Sequence, residues 1–598
     1  MEKVLNQTWD LDVVFKGGSE SESLDRFLVD LESDLQGYWQ HLKKTSAPQT
    51  IDEALNWKEN IHKIQDFSKR IVEAGAYIGC LNAQDVKDQH AKTLNGTIQT
   101  LGAQFESCST LLDNQMDNIP QAVWEELLKD DELKNIQFPL NESRDKAKEK
   151  LSAEQEQLVN ALSIDGYHGW GELYDTIVGN MSIPFTHPEK GESNLSVGQL
   201  DNLLTDSDRN VRKSAFAAWE TAWHNQSDFC SSALNHLSGF RLNLYQQRSW
   251  DKVLKEPLAY NRMTDETLAV MWDVITSCKP TFVKFLERKA ELLGLEKLSW
   301  FDVEAPLESA STKVTYEESC EFIIDHFKKF NPQMAEFAAH AIENRWIEAE
   351  DRFGKRPGGF CTSFPIAEES RIFMTFSGTP DNTSTLAHEL GHAYHQHVMN
   401  DLPNMAQHYA MNVAETASTF AEMIVSDAAK SSAATTEEHL AFLEDKVQRS
   451  IAFFMNIHAR FLFETRFYEE RKKGLVTSDR LDEIMLEAQK EAYCDALDTY
   501  HPAFWQSKLH FYITDVPFYN FPYTFGYLFS TGIYVKALEE GPSFAKKYDA
   551  LLRDTGSMTV EDLAKKHLDV DLTQPDFWRS AIGYCVKDAR EFLSLTEK

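Results

Sequence analysis

The segment TLAHELGHAYHQHVMN, residues 385–400, places four histidines and one glutamate within sixteen positions. Pro380 and Asp381 lie just ahead of it, and we expect Asp381 to cap the free N–H groups of a first helical turn. On such a helix His388 and His392 lie one turn apart on the same side, so both imidazoles can reach one metal ion. The segment therefore predicts a helix that carries two ligands of a metal site.

The residues between these two histidines complete an H-E-x-x-H pattern. Glu389 lies on the same edge of the helix, where its carboxylate can contact a water on the metal instead of the metal itself. Gly391 costs roughly 1 kcal/mol relative to Ala inside a helix, so we expect its missing side chain to leave room for a neighbouring segment. The pattern alone is not decisive, because it arises by chance in roughly one chain of this size in ten to twenty. A catalytic zinc site also needs a third protein ligand, which must come from elsewhere in the chain.

A second predicted helix, MNVAETASTFAEMIV at 411–425, supplies that ligand. Its polar positions form one stripe: Glu415, Ser418, Thr419 and Glu422. A polar stripe on an otherwise apolar helix indicates a bound polar group. We assign Glu415 as the third metal ligand, and Glu422 can accept a proton from a ligand imidazole, with a solvated or ion-paired carboxylate as the alternative. The remaining histidines of the first segment, His395 and His397, are interpreted as neighbours of the site or surface residues.

Most of the chain shows the three-and-four spacing of amphipathic helices. In SLDRFLVDLESDLQGYWQHL, 23–42, the apolar stripe consists of Leu24, Phe27, Leu28, Leu31, Leu35, Tyr38 and Leu42. Similar stripes occupy five more ranges: 51–115, 200–250, 265–293, 315–350 and 435–500. The sequence therefore predicts a mostly α-helical protein.

Two regions interrupt the helical spacing. Residues 163–195 are rich in glycine and turn formers, and we interpret them as the junction between an N-terminal helical unit and the rest. In 354–380 the alternation of RIFMTF, 371–376, predicts a β-strand, with GGFCTSF, 358–364, as its partner. A small sheet is therefore expected directly before the histidine segment.

Composition excludes several classes of protein. The formal net charge of −34 disfavours nucleic acids and anionic membrane surfaces as partners. The eight cysteines form no C-x-x-C pair, which is typical of reduced thiols in the cytoplasm. We find neither a leader peptide nor a run of 18 apolar residues, so we expect a soluble cytoplasmic protein.

HELGH at 388–392, followed by AETAS around Glu415, resembles the oligopeptidase family that contains thimet oligopeptidase and oligoendopeptidase F. The resemblance extends over essentially the full length and is nearest to the bacterial oligoendopeptidase F branch. Its further segments are WDLDVVFKGGSES at 9–21, LSWFDVEAPL at 298–307, GGFCTSFP, RIFMTFSGT and HFYITDVPFYNFPYTFGYLFSTG at 510–532.

The resemblance implies a zincin-like metallopeptidase with two helical lobes around a deep channel and a small sheet beside the active-site helix. It implies an N-terminal helical domain over 1–190, similar to the N-terminal domain of oligoendopeptidase F, and a catalytic domain over 191–598. It also implies one Zn²⁺ per chain and endopeptidase action on short, unstructured peptides in the cytoplasm. LSWFDVEAPL is expected to be a strand and a turn.

The resemblance also assigns catalytic roles. Glu389 is the general base, and a histidine and paired tyrosines map onto His510, Tyr523 and Tyr527, whose donors stabilise the oxyanion. The spacing in this chain leaves the choice among Tyr519, Tyr523 and Tyr527 open. We further hypothesise that residues 372–376 offer an exposed strand edge to the backbone of a peptide.

Two other functions are compatible with the same motifs. Helical zinc carboxypeptidases and dipeptidyl carboxypeptidases also carry H-E-x-G-H followed by a distant glutamate, and they need a group that holds the free C-terminus of the substrate. A non-catalytic protein that binds peptides is the second alternative, although such a protein has no use for the glutamate at position 389.

Overall fold

A computed structural model describes residues 4–307 and 313–597 of the chain, and helices dominate these ranges. In chain order the helices are α1 (Glu22–Lys44), α2 (Ile51–Trp57), α3 (Glu59–Gln84), α4 (Gln89–Asp117), α5 (Gln121–Leu127), α6 (Gln137–Lys148), α7 (Ala153–Ser163), α8 (Gly169–Asn180), α9 (Val197–Asn202), α10 (Arg209–His224), α11 (Ser227–Gln247), α12 (Lys255–Tyr260), α13 (Asp265–Leu292), α14 (Tyr316–Phe330), α15 (Pro332–Glu343), α16 (Pro380–His397), α17 (Met411–Ala414), α18 (Thr416–Ser432), α19 (Thr436–Ile451), α20 (Ile457–Arg471), α21 (Ser478–Ala492), α22 (Phe504–Ser507), α23 (Phe521–Glu540), α24 (Ala545–Asp554), α25 (Val560–Leu568) and α26 (Pro575–Leu595). The strands are β1 (Ile183–His187), β2 (Gly191–Leu195), β3 (Ile347–Glu348), β4 (Phe360–Phe364) and β5 (Glu369–Phe373). The predicted class, mostly α with a small sheet ahead of the histidine helix, is confirmed.

The chain forms two compact units, and each unit draws on three separated segments. Unit 1 consists of Met1–Lys150, Thr312–Ala428 and Lys536–Asp569. Unit 2 consists of Leu151–Ser311, Ala429–Val535 and Val570–Lys598. The predicted domains 1–190 and 191–598 divide the sequence at one point, whereas each compact unit combines three separate segments. The division into these domains therefore stays a prediction. Among the helices of the described ranges, each is either too short or too polar for a transmembrane segment.

The core of unit 1 joins the N-terminal helices to the sheet. The stripe predicted on α1 is buried except for the partly exposed Phe27, and it packs with apolar residues of α3 and α4. Phe364 of β4 and Phe373 of β5 belong to the same core. Burying this apolar surface therefore fixes the position of the sheet against the N-terminal helices.

The sheet of unit 1 has the order β3-β5-β4. The predicted hairpin is confirmed, since β4 pairs with β5 in antiparallel fashion and Cys361 lies opposite Ile372. β3 pairs with the other side of β5 in parallel fashion, with Ile347 opposite Ile372. Residues 372–376 therefore offer no open edge, and the hypothesis that a peptide pairs there is wrong: β5 is the central strand. Strand β4 is one edge of this sheet, and β3 is the other.

Two local predictions in unit 2 are also corrected. Residues 164–180, predicted to interrupt the helices, are helical, and only the β1–β2 hairpin departs from helix. A Cβ on Gly171 would lie 3.0 Å from the backbone oxygen of Tyr512, so this glycine permits a close approach and does not end α8. LSWFDVEAPL contains a 3-10 turn at Trp300–Asp302 and no strand, and Asp302 is held by Arg209 and Arg212.

Candidate active site

Helix α16 carries the H-E-x-x-H motif, and its first turn differs from the prediction. Pro380 occupies the first helical position, where its missing N–H group costs no hydrogen bond. The N-cap is therefore Thr379, and the Asn382 side chain accepts from the Thr379 N–H group at 3.2 Å. Asp381 lies within the first turn and is not the cap that we expected.

Gly391 has the role that the sequence predicts. A Cβ at this position would lie 2.5 Å from the carbonyl oxygen of Ala417 and 2.6 Å from the Cα atom of Ser418. Real Cβ atoms do not approach backbone atoms this closely, so only glycine lets α18 pack directly on α16. Glu415 lies at the break between α17 and α18, at the start of this contact.

The close packing brings the three predicted ligands together. The Nε2 atoms of His388 and His392 lie 3.2 Å and 3.3 Å from the same oxygen, Oε2 of Glu415. Two ligand atoms that bind one tetrahedral zinc ion at ~2.0 Å lie about 3.3 Å apart, so this spacing suits a shared ion. The three side chains form the one metal-binding group of this kind among the described residues.

Two further groups orient these ligands. Oε2 of Glu422 lies 3.4 Å from Nδ1 of His388, on the ring edge that faces away from the shared position. The Ser418 hydroxyl donates to Oε2 of Glu415 at 2.7 Å. The polar stripe of the second helix therefore serves the ligands, and Glu422 lies where an acceptor for a ligand imidazole is needed.

The electrostatics of the group indicate a site for a cation. Burial opposes the charge on His388, but hydrogen bonds to Glu415 and Glu422 outweigh it and raise its pKa to about 10. Burial also opposes the charge on Glu415, yet hydrogen bonds from both imidazoles hold its pKa well below the usual range. The Glu415 carboxylate therefore favours positive charge at the position that the three side chains share, and a divalent metal can supply that charge.

Glu389 lies beside the ligands with its carboxylate buried. It is 7% exposed, and its Oε2 atom has no hydrogen-bond partner among the described residues. Burial raises the pKa of Glu389, against the opposing effect of the two imidazoles. A buried carboxylate without a partner is costly in a structural role, so this group is a candidate for proton transfer.

The site opens into a cavity of about 320 Å³ in unit 1. Besides the ligands and Glu389 it is lined by Gly359, Phe360, Cys361, Ser363 and Tyr409. A Cβ on Gly359 would lie 3.2 Å from the Phe373 carbonyl and 3.4 Å from Oε1 of Glu389, so a side chain here would crowd the carboxylate. No motif marks these lining residues as part of the site, although the alternation of the GGFCTSF strand could have indicated them.

His395 is a structural residue. It is fully buried, stacks on Tyr409 at 4.3 Å, and its Nε2 atom hydrogen-bonds the Leu552 carbonyl and the Thr555 hydroxyl. Burial lowers the pKa of His395 to about 3, so its imidazole is neutral. His397 packs against Phe337.

The residues that the family resemblance adds lie in unit 2, where they separate into two environments. His510, Tyr519 and Tyr523 form a cluster, with ring centroids between 5.4 Å and 6.0 Å apart. Tyr527 lies apart from this cluster, stacked on Phe453, and its hydroxyl lies 3.1 Å from that of the buried Ser450. Burial lowers the pKa of His510 to about 4, with a further contribution from nearby cations.

Comparisons with known proteins identify the family of the chain. A model of peptidase family M3 matches residues 202–584, and a model of oligopeptidase F matches residues 116–182. The chain is 23% identical to an oligoendopeptidase F homologue of Lactococcus lactis over 99% of its length and 97% of the relative. It is 23% identical to the oligopeptidase PepF of Bacillus subtilis over 95% of its length and 84% of the relative.

Solved structures share the fold. A peptidase from Chlamydophila abortus matches with a TM-score of 0.84 at 18% identity, covering 98% of each chain. Oligoendopeptidase F from Enterococcus faecium matches with a TM-score of 0.71 at 18% identity, covering 96% of this chain and 99% of that one. The chain therefore belongs to peptidase family M3 and is a metalloendopeptidase of the oligopeptidase type.

Proposed function

We propose that this enzyme is a zinc endopeptidase in which His388, His392 and Glu415 hold one Zn²⁺ per chain and Glu389 is the general base. The observation that carries the proposal is the convergence of three possible ligand atoms beside a buried carboxylate oxygen that has no hydrogen-bond partner in the described part of the chain. Two imidazoles and one carboxylate suit zinc, and they leave a coordination position for water. Relatives named oligoendopeptidase F support short peptides as substrates.

The metal and the glutamate have separate tasks. A zinc ion held here would lower the pKa of water toward ~7 and polarise the scissile carbonyl group. Glu389 accepts the proton of the attacking water and returns it to the leaving amine. Its burial supports this role, because a raised pKa makes the carboxylate a stronger base. Glu422 holds the ring of His388 through Nδ1.

We assign the hydrogen-bond donors for the developing oxyanion to His510, Tyr523 and, in place of Tyr527, Tyr519. The resemblance to the family and the clustering of these three rings support the assignment. The neutral His510 imidazole can donate one N–H group, and a tyrosine hydroxyl remains a donor at neutral pH. The Tyr527 hydroxyl already has a buried partner in Ser450.

We propose that a substrate lies along the edge of β4, antiparallel or parallel to it. This strand lines the cavity of the metal site and forms one edge of its sheet. Main-chain hydrogen bonds to an edge strand bind a peptide without selecting its side chains. Such binding suits an enzyme that accepts many short, extended peptides. The proposed setting is the cytoplasm, where the unpaired cysteines stay reduced.

A length series of internally quenched peptides, with and without a chelator, tests the proposal. We expect cleavage at internal bonds, loss of cleavage with chelator and recovery with zinc. Peptides amidated at the C-terminus should be cut equally well, whereas a carboxypeptidase or dipeptidyl carboxypeptidase would reject them. The Glu389→Gln variant should keep zinc and lose roughly 10²–10⁴-fold in kcat. Unchanged cleavage by this variant would contradict the assigned base, and peptide binding without cleavage by the wild type would favour a non-catalytic protein.

A further inference from the structure

Strand β4 separates two cavities of unit 1. Cys361 and Ser363 line the cavity of the metal site, together with Glu389. Thr362, which points to the opposite face of the strand, lines a second cavity against α3. Phe360 and Cys361 border both cavities, so the two lie next to each other on either side of the strand.

The second cavity, here called the α3 groove, has a volume of about 480 Å³. Most of its wall is apolar or lacks a side chain, and six of its residues are Val72, Gly75, Ala76, Gly79, Ile98 and Thr362. Pockets of several hundred Å³ with apolar walls are the usual binding sites of apolar groups. Arg356 lies at the same cavity, with its guanidinium group 5.1 Å from the ring of Phe360.

Glycines on α3 create this space. Gly75 and Gly79 lie four residues apart, so both face the groove. Among the residues that the structure describes, a Cβ on Gly79 would meet no atom within 4 Å, and one on Gly75 would meet only Ile98 at 3.8 Å. A glycine inside a helix costs roughly 1 kcal/mol relative to Ala. Packing does not require either glycine, so the open groove itself is the feature that they provide.

We propose that the α3 groove is a specificity subsite that takes an apolar side chain of the substrate. The inference rests on the proposed function, in which an extended peptide pairs with β4. In that geometry successive side chains alternate between two faces, so the neighbour of a side chain at the metal site points to the face of the groove. A branched aliphatic or aromatic side chain fits the volume and the apolar wall, and Arg356 repels a basic one.

The Gly79→Leu variant tests this subsite, because the Cβ at this position has open space and the rest of the added side chain would occupy the groove. Gly96→Leu on α4 is the matched control: Gly96 is exposed, also has open space at its Cβ, and lies outside the groove. Both variants replace a helical glycine and gain similar helix propensity. Gly79→Ala adds a smaller side chain at the same position, so the groove can still be tested if Gly79→Leu does not fold.

The readout is kcat/KM for peptides that carry Phe, Leu, Lys or Gly at each position in turn. We expect the wild type to prefer Phe or Leu over Gly by at least about tenfold at one position or at positions two apart, and to disfavour Lys there. Gly79→Leu should reduce this preference to about twofold or less, and Gly96→Leu should preserve it. An unchanged preference in Gly79→Leu, or an equal loss for every peptide regardless of side chain, would overturn the proposal.

A binding experiment separates failure of the subsite from failure of the proposed chemistry. The Glu389→Gln enzyme is irradiated with peptides that carry a benzophenone side chain at the preferred position. We expect adducts within residues 71–79 or at Ile98, and at least fivefold fewer in Gly79→Leu. Adducts elsewhere, or none, would overturn the subsite even if the wild type cleaves peptides. Absence of metal-dependent cleavage, in contrast, would contradict the proposed function whatever the adducts show.

Discussion

Gly391 lies directly against the backbone of Ala417, and a Cβ on Gly391 would stand 2.5 Å from the Ala417 carbonyl oxygen. This contact joins α16, which carries two imidazoles, to the start of α18, which follows Glu415. The glycine of the H-E-x-x-H segment is therefore required by packing, and the packing sets the distance between the ligands.

Gly391→Ala should impair the metal site although alanine favours helix. Accommodating the extra methyl group requires a backbone shift, for which we expect a loss of about 1–3 kcal/mol in the free energy of unfolding. The shift should also reduce bound zinc after dialysis. Gly583→Ala on α26 is the control, since its Cβ would meet no atom of the described ranges within 4 Å. Denaturant unfolding and metal analysis check both variants, and full zinc content with unchanged stability in Gly391→Ala would contradict the packing argument.

Glu422→Gln should weaken metal binding without removing a ligand. The carboxylate lies 3.4 Å from Nδ1 of His388, and loss of such an outer partner typically costs 10–100-fold in metal affinity. Competition with a fluorescent zinc chelator measures this affinity. Glu437→Gln, an exposed carboxylate in the first turn of α19, should leave it unchanged. Equal affinities in all three proteins would show that Glu422 does not support the ligand.

Tyr523→Phe and Tyr527→Phe should have different effects. Tyr523 belongs to the His510 cluster, so loss of its hydroxyl should lower kcat by about 10²–10³-fold, as for other oxyanion donors. The hydroxyl of Tyr527 bonds buried Ser450, so its removal should cost about 1 kcal/mol of stability and little kcat. Steady-state kinetics and thermal unfolding distinguish the two, and a larger loss of kcat in Tyr527→Phe would reverse the assignment.

His395 should make the metal-free protein less stable in acid. Its folded pKa of about 3 lies below the ordinary value of 6.5, so only the unfolded chain binds this proton between those pH values. The free energy of unfolding should therefore fall by up to about 1.4 kcal/mol per pH unit as the pH drops from 6.5 toward 3. His395→Gln should show a shallower dependence in chelator-containing buffer. Parallel pH curves for the two proteins would contradict a buried, neutral imidazole.

The sequence predicts those features that depend on local spacing. The separation of His388 and His392, the missing side chain of Gly391 and the stripe containing Glu415 all follow from helix geometry, and the structure places His388, His392 and Glu415 close together. The hairpin of β4 and β5 also follows from alternation along the chain.

Features that depend on residues distant in the sequence are harder to predict from local patterns. Alternation predicts a strand but not its place in a sheet, and pairing with the distant β3 makes β5 central. The glycine content of 163–180 indicates a turn when only the sequence is considered. In the structure Gly171 lies within a helix, where it allows the close approach of the Tyr512 backbone. Tyr523 and Tyr527 lie four residues apart on α23, and only their packing partners distinguish them. The α3 groove likewise combines segments from separate parts of the sequence.

Anomalous diffraction at the zinc absorption edge, on crystals of the zinc-loaded enzyme, tests the central claim most directly. We predict one strong peak per chain, about 2.0–2.2 Å from Nε2 of His388, Nε2 of His392 and a carboxylate oxygen of Glu415. A zinc peak bound by other residues, or a peak from which the Glu415 carboxylate is absent, would contradict the assigned metal site and the mechanism built on it.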